Sequence, residues 1–182
     1  MNYGNIKYYD IANGPGVRTS LFVSGCTHHC KNCFNSEAWD FKYGNPFTEE
    51  IAYKIIESCK PDYISGLSLL GGEPMEEANQ KDLFPFLKRF KQIFVNKTIW
   101  CYTGYTYEQL TGIEDCNCRN EYTDEILRLI DVLVDGEFVQ ELYDISLRFR
   151  GSSNQRIIDM NKTRTSNKIV LWTGDNEFNF KK

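Results

Sequence analysis

The chain has 182 residues, 41% hydrophobic and 14% aromatic, enough apolar material for one compact domain with its own core. Its net charge is only -4 and like charges never cluster into long runs, which argues against a nucleic-acid stripe or a polybasic membrane patch. No segment approaches the apolar length of a membrane span and the N-terminus lacks a signal-peptide core, so a cytoplasmic protein is expected, with neither nucleic acid nor membrane as partner.

In chain order, Thr19 to Ser24 predicts the first β-strand, and a cysteine-bearing loop leaves it. Phe47 to Cys59 predicts a helix, with Thr48 as cap, Glu49 and Glu50 in the first turn, Ile51, Ile55 and Ser58 on one stripe, and Pro61 as the stop. Ser65 to Leu70 is the second strand. Leu83 to Phe94 carries a helical stripe in Leu83, Phe86, Leu87, Phe90 and Phe94, with Pro85 near its start, where a missing amide is tolerated. The strand Thr98 to Thr103 precedes a polar loop from Thr111 to Tyr122, and then a helix from Thr123 to Ile130 capped by Thr123. Val132 to Asp135, Arg156 to Met160 and Lys168 to Trp172 complete the strands.

This alternation predicts an α/β fold with a largely parallel sheet. Leu67 to Leu70 and Val132 to Val134 alternate little, as in strands covered on both faces. A single domain over 1-182 is expected, with a core of about 3-160 and a C-terminal strand and tail over 161-182.

Seven cysteines without an export signal point to thiols or metal ligands rather than disulfides. Three of them, Cys26, Cys30 and Cys33, crowd into the loop after the first strand, where ligands of α/β proteins bind. Thiolates spaced this closely can converge on one centre. A 4Fe-4S cluster usually takes four thiolates, so three leave one iron open to a small molecule. Zinc is the alternative, because His28 or His29 would complete a Cys3His set. Zinc ligands usually arrive as two separated pairs, however, which favours the cluster. Cys116 and Cys118 are expected to be unliganded surface thiols, while Cys59 and Cys101 stand alone.

Gly71-Gly72-Glu73-Pro74 ends the second predicted strand. Two glycines permit close backbone approach, and Glu73 with the nearby carbonyls can accept hydrogen bonds from an ammonium group. Taken alone, the segment is equally a plain strand-ending turn.

The cysteine spacing followed by Gly-Gly-Glu-Pro resembles the signature of the radical S-adenosylmethionine superfamily. Four further segments sharpen the likeness: Asn13 to Thr19, Trp100 to Tyr105, Val132 to Gly136 and Arg150 to Arg156. From about Tyr3 to Arg156 the chain is similar to the glycyl-radical activases that serve anaerobic ribonucleoside-triphosphate reductase; the activases of pyruvate formate-lyase are longer relatives. The resemblance implies a partial, open (β/α) barrel holding a 4Fe-4S cluster on Cys26, Cys30 and Cys33. It implies S-adenosyl-L-methionine as cofactor, lined by Asn32, Cys33, Phe34, Gly71, Gly72, Glu73 and Pro74, with Thr103 and Asp135 as contacts to its carboxylate or an associated cation. No catalytic side chain is implied beyond cluster and cofactor. Implied partners are the large reductase subunit and an external one-electron donor such as flavodoxin or ferredoxin. Asn32 stands where many members of the superfamily have an aromatic residue. Arg18 is expected on a carboxylate or on the surface that receives the target glycine, and both histidines on solvent-facing or partner-facing loop positions.

Overall fold

The computed structural model describes residues 1–174. Strand β1 (Asn2–Asp10) runs antiparallel to β2 (Val17–Val23), and the short β3 (Asn45–Pro46) pairs with the outer edge of β1. There follow α1 (Glu49–Ser58), β4 (Ile64–Gly71), α2 (Glu77–Ile93), β5 (Thr98–Tyr102), α3 (Tyr107–Thr111) and α4 (Thr123–Leu129). Strands β6 (Val132–Asp135) and β7 (Arg156–Asp159) and helix α5 (Met160–Ser166) complete the order. The seven strands form one sheet in the order β3-β1-β2-β4-β5-β6-β7, which does not close on itself. Strands β2, β4, β5 and β6 are parallel, so their C-terminal ends and the loops that leave them lie along one side.

The helices cover one face of this sheet. Leu21, Leu67, Leu69, Ile99 and Leu133 from the strands pack with Ile55, Leu83, Phe86, Leu87, Phe90 and Ile126 from α1, α2 and α4. Each such buried side chain contributes about 1.5–3 kcal/mol. The opposite face carries a smaller cluster of Trp100, Val132 and Val134, against which Tyr102, Phe149, Ile157 and Trp172 pack.

Arg18 lies wholly buried on this second face. Its Nε donates to Ser68 Oγ at 2.8 Å, and Nη2 donates to the carbonyls of Leu67 and Thr98 at 2.8 and 2.9 Å. The guanidinium thus ties β2, β4 and β5 together beside the Trp100 ring. It meets neither a carboxylate nor the surface, contrary to both sequence expectations, because these strand carbonyls supply enough acceptors to bury it.

Other local expectations change as well. Helix α2 starts at Glu77 rather than Leu83, leaving Pro85 inside it. Asn79 and Gln80 at its start are polar yet fully buried, which hides the helical stripe. Thr123 does not cap α4; its hydroxyl donates to Gln80 Oε1 at 2.7 Å. The segment Lys168 to Trp172 forms only an isolated bridge, Leu171 with Ile158, while the tail beyond Gly174 lies outside the described residues. Cys116 and Cys118 are joined as a disulfide, and Cys118 is buried in the core, so neither is a surface thiol. The Cys-Asn-Cys spacing holds their Cα atoms 5.3 Å apart, within disulfide reach.

Candidate functional site

The loops after β2, β4, β5 and β6 border a cavity of about 590 Å³. That volume falls in the range of small-ligand clefts, about 300–1,000 Å³. Cys26, Cys30 and Cys33 line it, together with Gly71, Gly72, Glu73 and Thr103. No other cysteine does, since Cys59 and Cys101 are buried elsewhere in the core.

Within the cysteine loop, the Cys33 amide donates to the Cys30 carbonyl at 3.0 Å, closing a tight turn. Asn32 sits in that turn with a left-handed backbone, φ 56°. Asparagine tolerates this conformation better than most residues, which gives a local reason for its presence here. Burial pushes the Cys26 thiol up to about 12 with help from the Glu73 charge, and burial and the Glu137 charge push Cys30 up to about 11. Both are neutral thiols near pH 7, so taking up a metal would release protons. Among the described residues no three His, Cys, Asp or Glu side chains already converge on a metal position. The donor set itself suits an iron–sulfur cluster: three thiols from one short loop on the wall of a ligand-sized cavity.

The base of the cysteine loop is laced to the turn after β4. Gly72 N donates to Val23 O at 2.7 Å and Glu73 N to Gly25 O at 2.8 Å. The buried Asn79 bridges the two loops, its Nδ2 donating to Ser24 O at 3.0 Å and to Glu73 O at 2.8 Å. A Cβ on Gly72 would stand 2.6 Å from Gly25 O and 2.8 Å from Ala38 O, so only glycine fits this approach. Gly72 itself lines the cavity.

The Glu73 carboxylate faces inward. Oε1 accepts from Met75 N at 2.8 Å, while Oε2 accepts from Gly104 N at 2.7 Å and pairs with His28 Nε2 at 3.2 Å. One side chain therefore joins the loops after β2, β4 and β5. Burial works to lower the His28 pKa, but the Glu73 hydrogen bond and charge outweigh it and hold the imidazole above its usual range. His28 also packs on Tyr105, ring centroids 4.4 Å apart, and lines the cavity, so it is mostly buried rather than on a solvent-facing loop position. His29 is exposed and stacks on Trp39.

Of the remaining predicted residues, Thr103 lines the cavity with its hydroxyl accepting from Tyr105 N, and Phe34 stands at the rim almost fully exposed. Pro74 and Asp135 do not line it. Asp135 is buried under the loop, its two oxygens held by Arg156 and by the Tyr107 amide. Arg156 also grips Glu108 through two bonds of 2.9 and 2.6 Å. The far wall comes from 136–155, which sequence reasoning left without a site residue except as a family-like segment. Gln155 stitches it: Nε2 donates to Gly136 O, and Oε1 accepts from the amides of Gly151 and Ser152. Phe138, Tyr143 and Phe149 supply its apolar lining.

This site lies within a recognised sequence family. The profile of the 4Fe-4S single cluster domain matches residues 12–158, from the turn before β2 to β7. The anaerobic ribonucleoside-triphosphate reductase-activating protein of Vibrio cholerae is 43% identical over 159 residues, covering 86% of this chain and 97% of that protein. The chain belongs to this family of activating proteins. The member from Escherichia coli K12 is 41% identical over 157 residues, 85% of this chain and 96% of its own length. A phage T4 member is 35% identical over 157 residues, 86% and 93% of the two chains. The family match spans every loop that borders the cavity, including the far wall. Among the described residues no helix is long and apolar enough to cross a membrane.

Proposed function

We propose that the protein activates anaerobic ribonucleoside-triphosphate reductase by generating a glycyl radical on its large subunit, using S-adenosylmethionine and a 4Fe-4S cluster. The observation that carries this reading is a cavity wall with three thiols and no fourth cysteine, in a chain of the activating-protein family. A ferredoxin-like role needs a fourth thiolate, and Cys59, Cys101 and the Cys116–Cys118 pair are all away from the cavity. A Cys3His zinc site needs a histidine, but His28 Nε2 is paired with Glu73, the exposed His29 is stacked on Trp39, and His29 is not among the residues that line the cavity. The open mixed sheet then serves as a partial (β/α) barrel with the cofactors at the C-terminal ends of its parallel strands.

Cys26, Cys30 and Cys33 each hold one iron. With a donor such as flavodoxin or ferredoxin, a cluster held there would supply the one-electron reduction that cleaves the sulfonium of S-adenosylmethionine. The Gly72 carbonyl would accept from the methionine ammonium, with Gly71, where a Cβ would stand 2.7 Å from Val23 N and O, and Pro74 shaping that turn. Glu73 acts indirectly, fixing the turn against His28 and Gly104. Thr103 meets the methionine carboxylate, while Asn32 and Phe34 at the rim cover the nucleoside. Asp135 holds the floor through Arg156 rather than touching the ligand. The wall of Phe138, Tyr143 and Phe149 would limit water around the target glycine once the partner covers the cavity mouth.

The test is anaerobic reconstitution with iron and sulfide, reduction, and addition of S-adenosylmethionine with the large subunit. Expected are 5'-deoxyadenosine, methionine and a glycyl-radical spin signal on that subunit. Absence of 5'-deoxyadenosine from protein with an intact cluster refutes the chemistry. A signal on pyruvate formate-lyase alone would reassign the partner.

A further inference from the structure

We propose that Glu76 is a positioning residue that holds the first half of the cysteine loop and lowers the reduction potential of the cluster bound there. This rests on the cluster reading above and concerns a residue that reading does not use.

Glu76 occupies the N-cap position of α2 yet makes no capping hydrogen bond. Its side chain instead reaches across to the cysteine loop, where Oε1 accepts from Thr27 N at 2.7 Å and from Thr27 Oγ1 at 2.6 Å. The residue is only 8% exposed. Glu73, its neighbour in the same turn, has His28 as a partner. Among the described residues Glu76 has no cationic partner within salt-bridge distance.

Two effects follow, and they act in the same direction. The amide after Cys26 is the kind of donor that otherwise points at a cluster sulfur, and such bonds ease reduction by stabilising added negative charge. Here that amide donates to Glu76 instead. The carboxylate also brings a negative charge next to the first cysteine in a poorly screened place, which opposes an incoming electron. Both make the bound cluster a stronger reductant. Reductive cleavage of a sulfonium needs a strong reductant, so the arrangement suits the proposed chemistry.

The experiment compares parent protein, Glu76→Gln, Glu76→Ala and Glu77→Gln, the last a solvent-exposed neighbour with the same change of charge. Reduction potentials are measured by spin-resonance-monitored titration without S-adenosylmethionine. Alkylation of Cys26 is followed separately in the metal-free chains. Glu76→Gln is expected to raise the potential clearly above the parent's, and Glu77→Gln to shift it much less. Metal-free Glu76→Gln keeps an acceptor for Thr27 and alkylates at the parental rate, whereas Glu76→Ala alkylates several-fold faster. An unchanged or lowered potential in Glu76→Gln, or an equal shift in Glu77→Gln, overturns the tuning role. If a variant takes up no cluster, the metal-free arm decides: a parental Cys26 rate in Glu76→Ala overturns the positioning role. Failure of the parent itself to assemble a cluster would instead refute the cluster reading.

Discussion

Replacing Gly72 by alanine puts the lacing of the two motif loops to a direct test. The Gly72 φ lies outside the left-handed range, so the backbone accommodates alanine and any penalty comes from contact alone. The new methyl would sit 2.6 Å from Gly25 O and 2.8 Å from Ala38 O, both backbone atoms that cannot rotate aside. Relief requires the cysteine loop and the turn after β4 to separate by several tenths of an ångström. Overpacking of this kind costs about 1–3 kcal/mol. For a chain of this length that lowers Tm by roughly 2–4 °C per kcal/mol. Gly71→Ala provides the comparison: its Cβ would stand 2.7 Å from Val23 N and O, and its φ of 111° adds backbone strain. Thermal and urea unfolding of the metal-free proteins should therefore rank parent above Gly72→Ala above Gly71→Ala. Calorimetry on reconstituted Gly72→Ala should also show weakened S-adenosylmethionine binding. A Gly72→Ala protein within about 0.3 kcal/mol of the parent and with parental affinity would refute the close approach.

Arg18→Met should destabilise strongly, because the carbonyls of Leu67 and Thr98 lose their buried donor at about 1–3 kcal/mol each; urea unfolding measures it. Asn79→Ala, by unlacing Ser24 O from Glu73 O, should loosen the cysteine loop and raise amide exchange at Gly25 and Cys26 over the parent. The hydrogen bond from Arg156 holds the Glu108 carboxyl below its usual range. A carboxylate with a depressed folded pKa makes unfolding proton-consuming, so its contribution is present above the unfolded value of about 4.3 and lost as pH falls through the folded one. Arg156→Met should accordingly show a smaller fall in Tm than the parent between about pH 6 and about pH 3. Mass spectrometry after non-reducing alkylation of unfolded, metal-free protein should find the five free cysteines modified and the Cys116–Cys118 pair protected.

The parallel strands and the cysteine loop were legible because their signals are local: apolar runs bounded by glycine, and thiols too close together to be incidental. Strand β1 was not, since it lies towards the sheet edge with most of its side chains partly or fully exposed, which erases the alternation a half-buried strand displays. Helix α3 had a readable mark in the capping box of Thr106 and Gln109, but its five residues are too few to show a stripe. The start of α2 was hidden by what its buried polar residues do: Asn79 and Gln80 serve distant carbonyls rather than the solvent. Glu73 was read as a ligand-facing acceptor, and only the fold reveals its carboxylate to be consumed by Gly104 and His28. Arg18 likewise needed three strands in register before its partners existed.

The lacing of the cysteine loop bears on survival in air. Ser24, Gly25 and Thr27 are held by Asn79, Glu73 and Glu76 through bonds that involve no thiol and no metal. If these three cysteines hold the proposed cluster, a chain stripped by oxygen would keep the mould around Cys26, leaving the Cys30 to Cys33 turn to close again on new iron. Repair would then be the refilling of a standing template rather than a refolding.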